Sequence, residues 1–263
     1  MGPIISIHSF RGGTGKSNIA ANLAYCCAAK GVRVGIVDTD IQSPGIHIIF
    51  GLKESSMKKY LNDYLKGDCS INDATQDVSA RLDLPCGIIN LIPSRLNAEE
   101  IVRMLKEGFD VSRLSRGFSE LMKNLQLNLV LIDTHPGIEE ETLLSLALSD
   151  MLLVILRPDE QDYLGTAITL EISKQMDVSQ TLLIANRVPQ EIDSESFKKN
   201  LEETYKCPVV GVLPFSYNFM VAQSKQVHCY ASPNDPFSIE MKRIAERILS
   251  NKAFNDGFNK PDP

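Results

Sequence analysis

The segment IISIHSFRGGTGKS at residues 4–17 decides the fold of this chain. Its first four residues have the apolar pattern of a buried strand, and a glycine-rich loop that ends in GKS follows them directly. The next stretch, residues 17–30, is rich in alanine and stops before Gly31, as is typical of a helix. A glycine-rich loop between a strand and a helix places backbone N–H groups around phosphate oxygens. The segment therefore predicts a phosphate-binding loop in an α/β domain.

The alternation of strands and helices continues along the chain. Six further buried-strand patterns lie at residues 34–37, 88–92, 129–132, 152–156, 182–185 and 209–213. Helical patterns lie at residues 97–107, 139–148, 164–175, 194–205 and 237–249. Because near-continuous apolar strands are typical of sheets covered on both faces, we predict one doubly wound, mostly parallel sheet with helices on both faces. This domain is expected to span residues 1–250, with a short flexible tail at residues 251–263.

The composition limits the classes of protein to consider. The chain has 263 residues and a formal net charge of −6, with 43% hydrophobic and 23% charged residues, which is ordinary for a globular protein. The acidic balance argues against a surface built entirely for nucleic acid, although it allows a local basic patch. The six cysteines form no CxxC or CxxH pair for a structural zinc. No signal peptide is recognised and no apolar run reaches the ~18 residues of a membrane span, so we expect a cytoplasmic protein.

The glycine-rich loop predicts how a nucleoside triphosphate and a metal ion would be held. Its backbone N–H groups would bind phosphate oxygens, and the Lys16 ammonium would reach the β- and γ-phosphates. The Ser17 hydroxyl would bind Mg²⁺. The alternative is a glycine turn with a chance lysine, which the strand–helix context disfavours. The predicted ATP contacts in this loop are Arg11, Gly12, Gly13, Thr14, Gly15, Lys16, Ser17 and Asn18.

The loop resembles the deviant Walker A motif, K-G-G-x-G-K-[ST], of the ParA/MinD superfamily of ATPases. Phe10 stands where an ordinary P-loop has its first glycine, and Arg11 stands where the deviant motif has its first lysine. In that superfamily the lysine reaches across a dimer to the partner's nucleotide. Arginine keeps the charge and adds a bidentate fork, so Arg11 is expected either to act in this way or to pair with a local carboxylate. The resemblance implies a P-loop NTPase fold of the SIMIBI type.

Two acidic motifs after predicted strands resemble the next motifs of this superfamily. The segment IVDTDIQSPG supplies Asp38 and Asp40, and the segment LVLIDTHPG ends a strand with Asp133. By this resemblance Asp40 would position the attacking water, Asp38 would hold Mg²⁺-bound water, and Asp133 would bind Mg²⁺ as in a Walker B motif. A turn or helix cap is the alternative for Asp40. His135 replaces the first proline of the superfamily's D-x-P-P-G turn, and we expect a turn residue without a catalytic role there.

Two later segments resemble the parts of the superfamily that contact the base. The segment ANRVP resembles the N-R-x-x-P motif, which implies that Asn186 reads adenine with Arg187 beside it. The segment GVLPF resembles the loop that closes over the base, and it contributes Pro214 and Phe215. The resemblance thus extends from the first strand to about residue 249.

A polar loop, RPDEQDY at residues 157–163, follows another predicted strand at the ligand edge of the sheet. Such a loop would face the nucleotide or a partner, with Arg157 near phosphate. Alternatively, it is a solvated connection in which Asp162 caps the next helix. The sequence leaves both interpretations open.

The resemblance implies a Mg²⁺-dependent ATPase that hydrolyses ATP slowly and is stimulated by an unidentified protein partner. ATP would drive formation of a homodimer, and this nucleotide-gated switch would position or partition a chromosome, plasmid, division site or cargo such as carboxysomes. A first alternative is a nucleotide-binding regulatory module with little hydrolysis, which the change at Arg11 favours. A second is a metal-cluster or transport-type ATPase of the same superfamily, although its cysteine pairs are missing.

A basic group lies on the predicted helix at residues 237–249, where Lys242, Arg243 and Arg247 recur at helical spacing. These residues would bind DNA phosphates without sequence specificity and bring the protein to the nucleoid, or they form the solvated face of an amphipathic helix. The residues that follow lack a basic amphipathic pattern, so membrane binding is not expected.

Overall fold

A computed structural model describes residues 2–95 and 111–251 of the chain. The helix predicted at residues 97–107 and the predicted tail beyond residue 251 lie outside the described residues. The division into a domain at residues 1–250 and a tail at residues 251–263 stays a prediction.

An eight-stranded sheet forms the centre of the fold, and it confirms the predicted doubly wound architecture. Its strands are β1 (Ile4–His8), β2 (Arg33–Asp38), β3 (Gln76–Asp77), β4 (Ile88–Ile92), β5 (Leu129–Asp133), β6 (Met151–Leu156), β7 (Gln180–Val188) and β8 (Val209–Pro214). Their order in the sheet is β3-β4-β2-β5-β1-β6-β7-β8. All neighbours are parallel except β3 and β4. The short polar strand β3 has no apolar pattern and was not predicted.

Helices connect the strands and cover the sheet. Those that the structure describes are α1 (Lys16–Ala28), α2 (Ile46–Ile49), α3 (Leu61–Lys66), α4 (Val111–Asn124), α5 (Glu140–Ala147), α6 (Glu160–Gln175), α7 (Ser194–Tyr205), α8 (Tyr217–Val221), α9 (His228–Ala231) and α10 (Pro236–Leu249). The sequence interpretation did not include α4. None of the helices in the described ranges is long and apolar enough to cross a membrane.

The start of α6 corrects one prediction. This helix begins at Glu160, four residues before the predicted start at residue 164. The reason is a cap, because Asp159 Oδ1 accepts hydrogen bonds from the N–H groups of Gln161 and Asp162 at 3.0 and 3.3 Å. The alternative assignment of Asp162 as the N-cap was therefore wrong.

The central strands are covered on both faces, which explains their near-continuous apolar patterns. In β5, Leu131 packs in a cluster with residues of α1 and α10, whereas the next residue, Ile132, packs in a second cluster with residues of α4. A third cluster joins β6 and β7 to α6 and α7. The packed layers hold the carboxyl ends of the parallel strands along one edge of the sheet, where the loops that carry the predicted site residues begin.

Candidate functional site

The sheet topology brings the predicted polar residues to this one edge. Strand β1 lies beside β5, and β2 lies on the other side of β5, so the loops after these three strands start next to one another. Asp38 at the end of β2 is the register partner of Asp133 at the end of β5. Doubly wound folds bind their ligands at the carboxyl ends of such strands. The fold therefore assembles one candidate site from three segments that are distant in sequence.

The loop between β1 and α1 is held by hydrogen bonds that converge on Ser9. The Ser9 hydroxyl donates to the Arg11 carbonyl oxygen at 2.7 Å and accepts from Thr14 Oγ1 at 2.8 Å. Lys16 Nζ also donates to Ser9 Oγ, at 3.1 Å. Gly15 has a φ of +97°, and a Cβ atom there would lie 2.7 Å from the Asn186 amide nitrogen. Glycine is thus required at this position for both conformation and space.

Opposite charges are buried together beneath this loop. Burial lowers the pKa of the Lys16 ammonium, against the opposing effects of Asp133 and Asp40. Burial also raises the pKa of Asp133 to about 7, against the opposing effects of the Ser17 hydroxyl and Lys16. Lys16 is 6% exposed and Asp133 is 1% exposed. Such burial costs free energy unless a partner or ligand compensates it.

Asp133 and Ser17 fit a Mg²⁺ site. In the described part of the chain, neither carboxylate oxygen of Asp133 has a hydrogen-bond partner of good geometry. A buried carboxylate beside a hydroxyl is a donor set of oxygens, which Mg²⁺ prefers. A cation there would also compensate the buried charge. The residues present therefore match the metal that the sequence predicts.

Asp38 organises the loop that follows β2. It is fully buried, and its Oδ1 and Oδ2 accept hydrogen bonds from the N–H groups of Asp40 and Gly45 at 3.1 and 3.3 Å. Burial raises its pKa well above the ordinary range, and the neighbouring Asp133 and Asp40 add to this shift. Asp38 thus fixes the backbone around Asp40, and its part in holding Mg²⁺-bound water stays a prediction.

Asp40 has a neighbour that the sequence interpretation did not assign to the site. Its Oδ1 accepts a hydrogen bond from Ser43 N–H at 2.9 Å and lies 2.8 Å from His135 Nδ1. We expected His135 to be a turn residue only, because nothing in the sequence states that β2 and β5 are neighbours. Adjacent strands bring the loops that follow them together, so the contact between His135 and Asp40 could be predicted only from the strand order.

A cavity of about 220 Å³ lies beside the P-loop and brings together the residues predicted to contact the base. Asn186, Arg187, Pro214 and Phe215 all line it, together with Asn18, which was predicted as an ATP contact at the end of the P-loop. The sequence interpretation missed the contribution of α8 and of the turn that follows it, since residues 217–227 carry no long periodic pattern. The further lining residues from this region are Phe219, Met220, Gln223 and Ser224.

The Asn186 amide already contacts the backbone of the P-loop. Its Nδ2 donates to the Thr14 carbonyl oxygen at 2.7 Å, and its Oδ1 accepts from Arg187 N–H at 2.9 Å. Arg187 has a φ of +57°, and it lies where the pairing of β7 with β8 is interrupted. Asn186 therefore ties the base cavity to the phosphate loop, and its reading of adenine stays a prediction.

Arg11 forms the local ion pairs that the sequence left as an alternative. Its Nη1 lies 3.2 Å from Asp159 Oδ1 and 3.6 Å from Asp162 Oδ1. Arg157 binds Asp162 in a bidentate manner, with Nε and Nη2 at 2.8 and 3.0 Å from the two carboxylate oxygens. The polar loop at residues 157–163 thus connects to the P-loop through Asp159 and Asp162, while Arg157 is paired within its own loop.

Each of the basic residues of α10 contacts an oxygen of the chain. Lys242 Nζ donates to the Pro233 carbonyl oxygen at 2.9 Å. Arg243 Nη1 and Arg247 Nη1 lie 3.2 and 2.9 Å from the carboxylate of Glu240. The helix is therefore an amphipathic one with a locally paired basic face.

The sequence relatives of this chain agree with such a site. A family model described as an AAA domain matches residues 2–185. The chain is 31% identical over 212 residues to an uncharacterized ATP-binding protein of Methanocaldococcus jannaschii, which covers 80% of this chain and 73% of that protein. It is 29% identical over 256 residues to the flagellum site-determining protein YlxH of Helicobacter pylori, which covers 94% of this chain and 81% of that protein.

The fold also has a solved counterpart. The septum site-determining protein MinD of Pyrococcus horikoshii, solved as a complex with Mg-ADP, superimposes with a TM-score of 0.77 at 20% identity. The match covers 95% of this chain and 97% of that chain. Its low identity makes it evidence for the fold alone, whereas the family model spans well over half of the sequence. The chain thus belongs to the AAA domain family and, supported by its 27% identity over 238 residues to the septum site-determining protein MinD of Helicobacter pylori, to the ParA/MinD superfamily of P-loop ATPases.

Proposed function

We propose that this chain binds Mg²⁺ and ATP at the carboxyl edge of its sheet and hydrolyses the ATP to ADP and phosphate. The observation that carries the proposal is the pair of buried charges beneath the P-loop. Lys16 and Asp133 are almost fully buried, and Asp133 has no hydrogen-bond partner of good geometry in the described ranges. A triphosphate would bind the Lys16 ammonium, and a divalent cation would bind the Asp133 carboxylate. The ATP-binding relative and the MinD complex with Mg-ADP support the same ligand.

Each residue of the edge has a distinct role in this proposal. The backbone N–H groups of Gly12–Lys16 and the Lys16 ammonium bind the phosphates, and Ser17 and Asp133 hold Mg²⁺. When bound, Mg²⁺ neutralises charge on the phosphate oxygens. Asp38 fixes the loop that carries Asp40, and Asp40 orients the attacking water. Phosphoryl transfer depends mainly on such positioning and charge stabilisation.

ATP binding would also bring two copies of the chain together. In the structure Arg11 pairs with Asp159 within one chain, so a contact from Arg11 to a partner's nucleotide requires this exposed pair to open. The side chains of Arg11 and Asp159 are 39% and 46% exposed. Ion pairs this exposed are weak enough to exchange partners. Hydrolysis, stimulated by a protein partner, would then return Arg11 to Asp159 and separate the dimer.

A role in positioning a cellular structure follows from the relatives rather than from the site. The flagellum site-determining relative, which aligns with 94% of this chain, favours such a role. Binding of DNA by α10 would require its cations to exchange chain oxygens for phosphates, and this part of the proposal is tested separately.

Phosphate release tests the proposed activity. The purified chain is incubated with ATP and Mg²⁺, with EDTA in a parallel sample, and Asp40→Asn serves as the matched variant. We expect release that requires Mg²⁺ and that falls at least about 100-fold in Asp40→Asn, since loss of a positioned proton acceptor has effects of about 10²–10⁴-fold. ATP affinity should stay within about twofold, because Asp40 lies beside the attacking water and not on the phosphates. No Mg²⁺-dependent release, or full activity in Asp40→Asn, would contradict the proposal.

A further inference from the structure

The contact between His135 and Asp40 is the most specific feature of the site that the predicted motifs do not explain. The Nδ1 atom of His135 lies 2.8 Å from Asp40 Oδ1. Their side chains are mostly buried, at 16% and 11% exposed. An imidazole that carries a proton on Nδ1 would donate it to the Asp40 carboxylate oxygen, which accepts.

Other contacts hold both residues in this arrangement. The Thr142 hydroxyl donates to the His135 carbonyl oxygen at 3.2 Å, which anchors the turn after β5 to the first part of α5. Gln42 Nε2 donates to Glu139 Oε2 at 2.8 Å. The contacts of Gln42 with Glu139 and of His135 with Asp40 join the loop after β2 to the loop after β5, in addition to the hydrogen bonds from Thr39 to the Asp133 carbonyl oxygen. Of these contacts, the one from His135 reaches the Asp40 carboxylate.

Within the described residues, both hydrogen bonds to the Asp40 carboxylate engage the same oxygen. Oδ1 receives Ser43 N–H from its own loop and His135 Nδ1 from the neighbouring loop. Two donors on one oxygen restrict rotation of the carboxylate and leave the lone pairs of Oδ2 for a water molecule. Ser43 lies on the same loop as Asp40. Thr39 ties the backbone of that loop to the Asp133 carbonyl oxygen of β5, with its N–H and Oγ1 each at 2.9 Å, and His135 is the contact from the β5 side that reaches the Asp40 carboxylate.

We propose that His135 is a positioning residue that orients the Asp40 carboxylate toward the attacking water. This inference rests on the proposed ATP hydrolysis, and it assigns to His135 a role that a turn residue does not have. Groups that orient a reacting side chain affect activity by about 10–100-fold, and a misplacement of about 1 Å has an effect of similar size. His135 contacts neither the P-loop lysine nor the base cavity, so its effect should lie in turnover and not in nucleotide binding.

Two substitutions at position 135 distinguish the effect of the hydrogen bond to Asp40 from a purely structural role of the His135 side chain. His135→Leu removes the donor, and His135→Asn keeps an amide nitrogen near the place of Nδ1. We expect His135→Leu to lower kcat by about 10–100-fold, with ATP affinity within about twofold of the parent. His135→Asn should recover most of kcat. If thermal unfolding shows that His135→Leu loses the fold, His135→Phe keeps the ring volume without the donor and replaces it.

Gln42→Ala is the matched control, because it breaks the hydrogen bond to Glu139 between the same two loops. It leaves in place both the His135–Asp40 contact and the Glu139 carboxylate, which lies 3.9 Å from His135 Nε2. Its kcat should stay close to that of the parent chain. The inference is overturned if the donor-free variants keep the parent kcat, if Asn rescues no better than Leu, or if Gln42→Ala loses as much activity. A parent chain that releases no phosphate would instead contradict the proposed function itself, so the two failures are distinguishable.

Discussion

The nucleotide edge, formed by Lys16, Asp38, Asp40 and Asp133, differs sharply from the basic face of α10. At the nucleotide edge Lys16 and Asp133 are buried, and the oxygens of Asp133 have no good hydrogen-bond partner in the described part of the chain. On α10 the arginines are exposed and already contact Glu240. Buried charge without a partner has a cost that a ligand can remove, whereas exposed pairs contribute little. The free-energy cost of burying a charged side chain therefore points to the candidate site better than the number of charged residues on a surface does.

Replacing Lys16 gives the largest expected effect on this comparison. Lys16→Ala removes the buried cation that would face the phosphates. Hydrogen bonds to charged groups contribute about 1.5–3 kcal/mol, which corresponds to a loss of about 10–100-fold in Mg·ATP affinity. Isothermal titration calorimetry measures it. Lys30→Ala is the matched control, since Lys30 follows the same helix but lies exposed in a pair with Glu246; equal losses in both variants would break the comparison.

Replacing Asp133 tests whether its buried charge is costly. Burial raises the pKa of Asp133 from 3.8 to about 7, so its ionisation destabilises the fold as pH rises through that range. In EDTA at pH 8 we expect Asp133→Asn to raise Tm by several degrees, because each kcal/mol shifts Tm by about 2–4 °C at this size. The gain should shrink at pH 5, where folded Asp133 is largely protonated. Differential scanning calorimetry of the variant and the parent, with EDTA and with Mg²⁺, measures this gain. An equal gain in Tm at both pH values would show that ionisation of Asp133 does not destabilise the fold.

The Arg11 pair tests an exposed contact at the border of the nucleotide edge. Asp159→Asn removes the nearer of the two charges that pair with Arg11, leaves Asp162 at 3.6 Å, and keeps an oxygen that caps α6. Because exposed pairs contribute at most about 1 kcal/mol, we expect the ATP-dependent dimer to become up to about fivefold tighter. Arg11→Ala should weaken the same dimer.

Sedimentation velocity in ATP and Mg²⁺, with hydrolysis blocked by Asp40→Asn, measures both Arg11 effects. A monomer in the parent and in both variants would mean that Arg11 acts only within its own chain.

The smallest effect is expected on α10. Arg243→Ala with Arg247→Ala should change non-specific DNA affinity by less than about twofold and stability by about 0.5 kcal/mol or less for each exposed position. Glu240→Gln sharpens the test, since it removes the charge that both arginines pair with and keeps the arginines, although Arg247 Nη1 still donates to the Val210 carbonyl oxygen at 2.7 Å. Fluorescence anisotropy with duplex DNA at low salt provides the affinities. A tenfold loss in the arginine variant would show that paired cations on this helix bind DNA after all.

The sequence predicts the parts of this molecule that depend on local pattern. The apolar strands and the P-loop at residues 9–17 follow from burial on two faces and from glycine chemistry, and the structure confirms the strands. The short polar strand β3 has no such pattern. Helix α4 forms one wall of the second cluster, and the sequence interpretation did not include it.

The parts that escaped prediction depend on strand order. Arg11 meets Asp159 because β1 lies beside β6, and His135 meets Asp40 because β5 lies beside β2. Residues after different strands are distant in sequence, and no periodicity states which strands are neighbours. The residues of the candidate site could thus be predicted from the sequence, but the hydrogen bonds between them could be identified only from the fold.

The most direct test of the central claim is a crystal structure of Asp40→Asn grown with ATP and Mg²⁺. The account predicts triphosphate in the loop at residues 9–17, with Lys16 Nζ on the phosphates. It also predicts a metal ion held through Ser17 and Asp133, which would give the buried carboxylate its missing partner. Nucleotide bound elsewhere, or triphosphate in the loop with no metal ion near Asp133, would contradict the claim that the buried charges of this edge form the ATPase site.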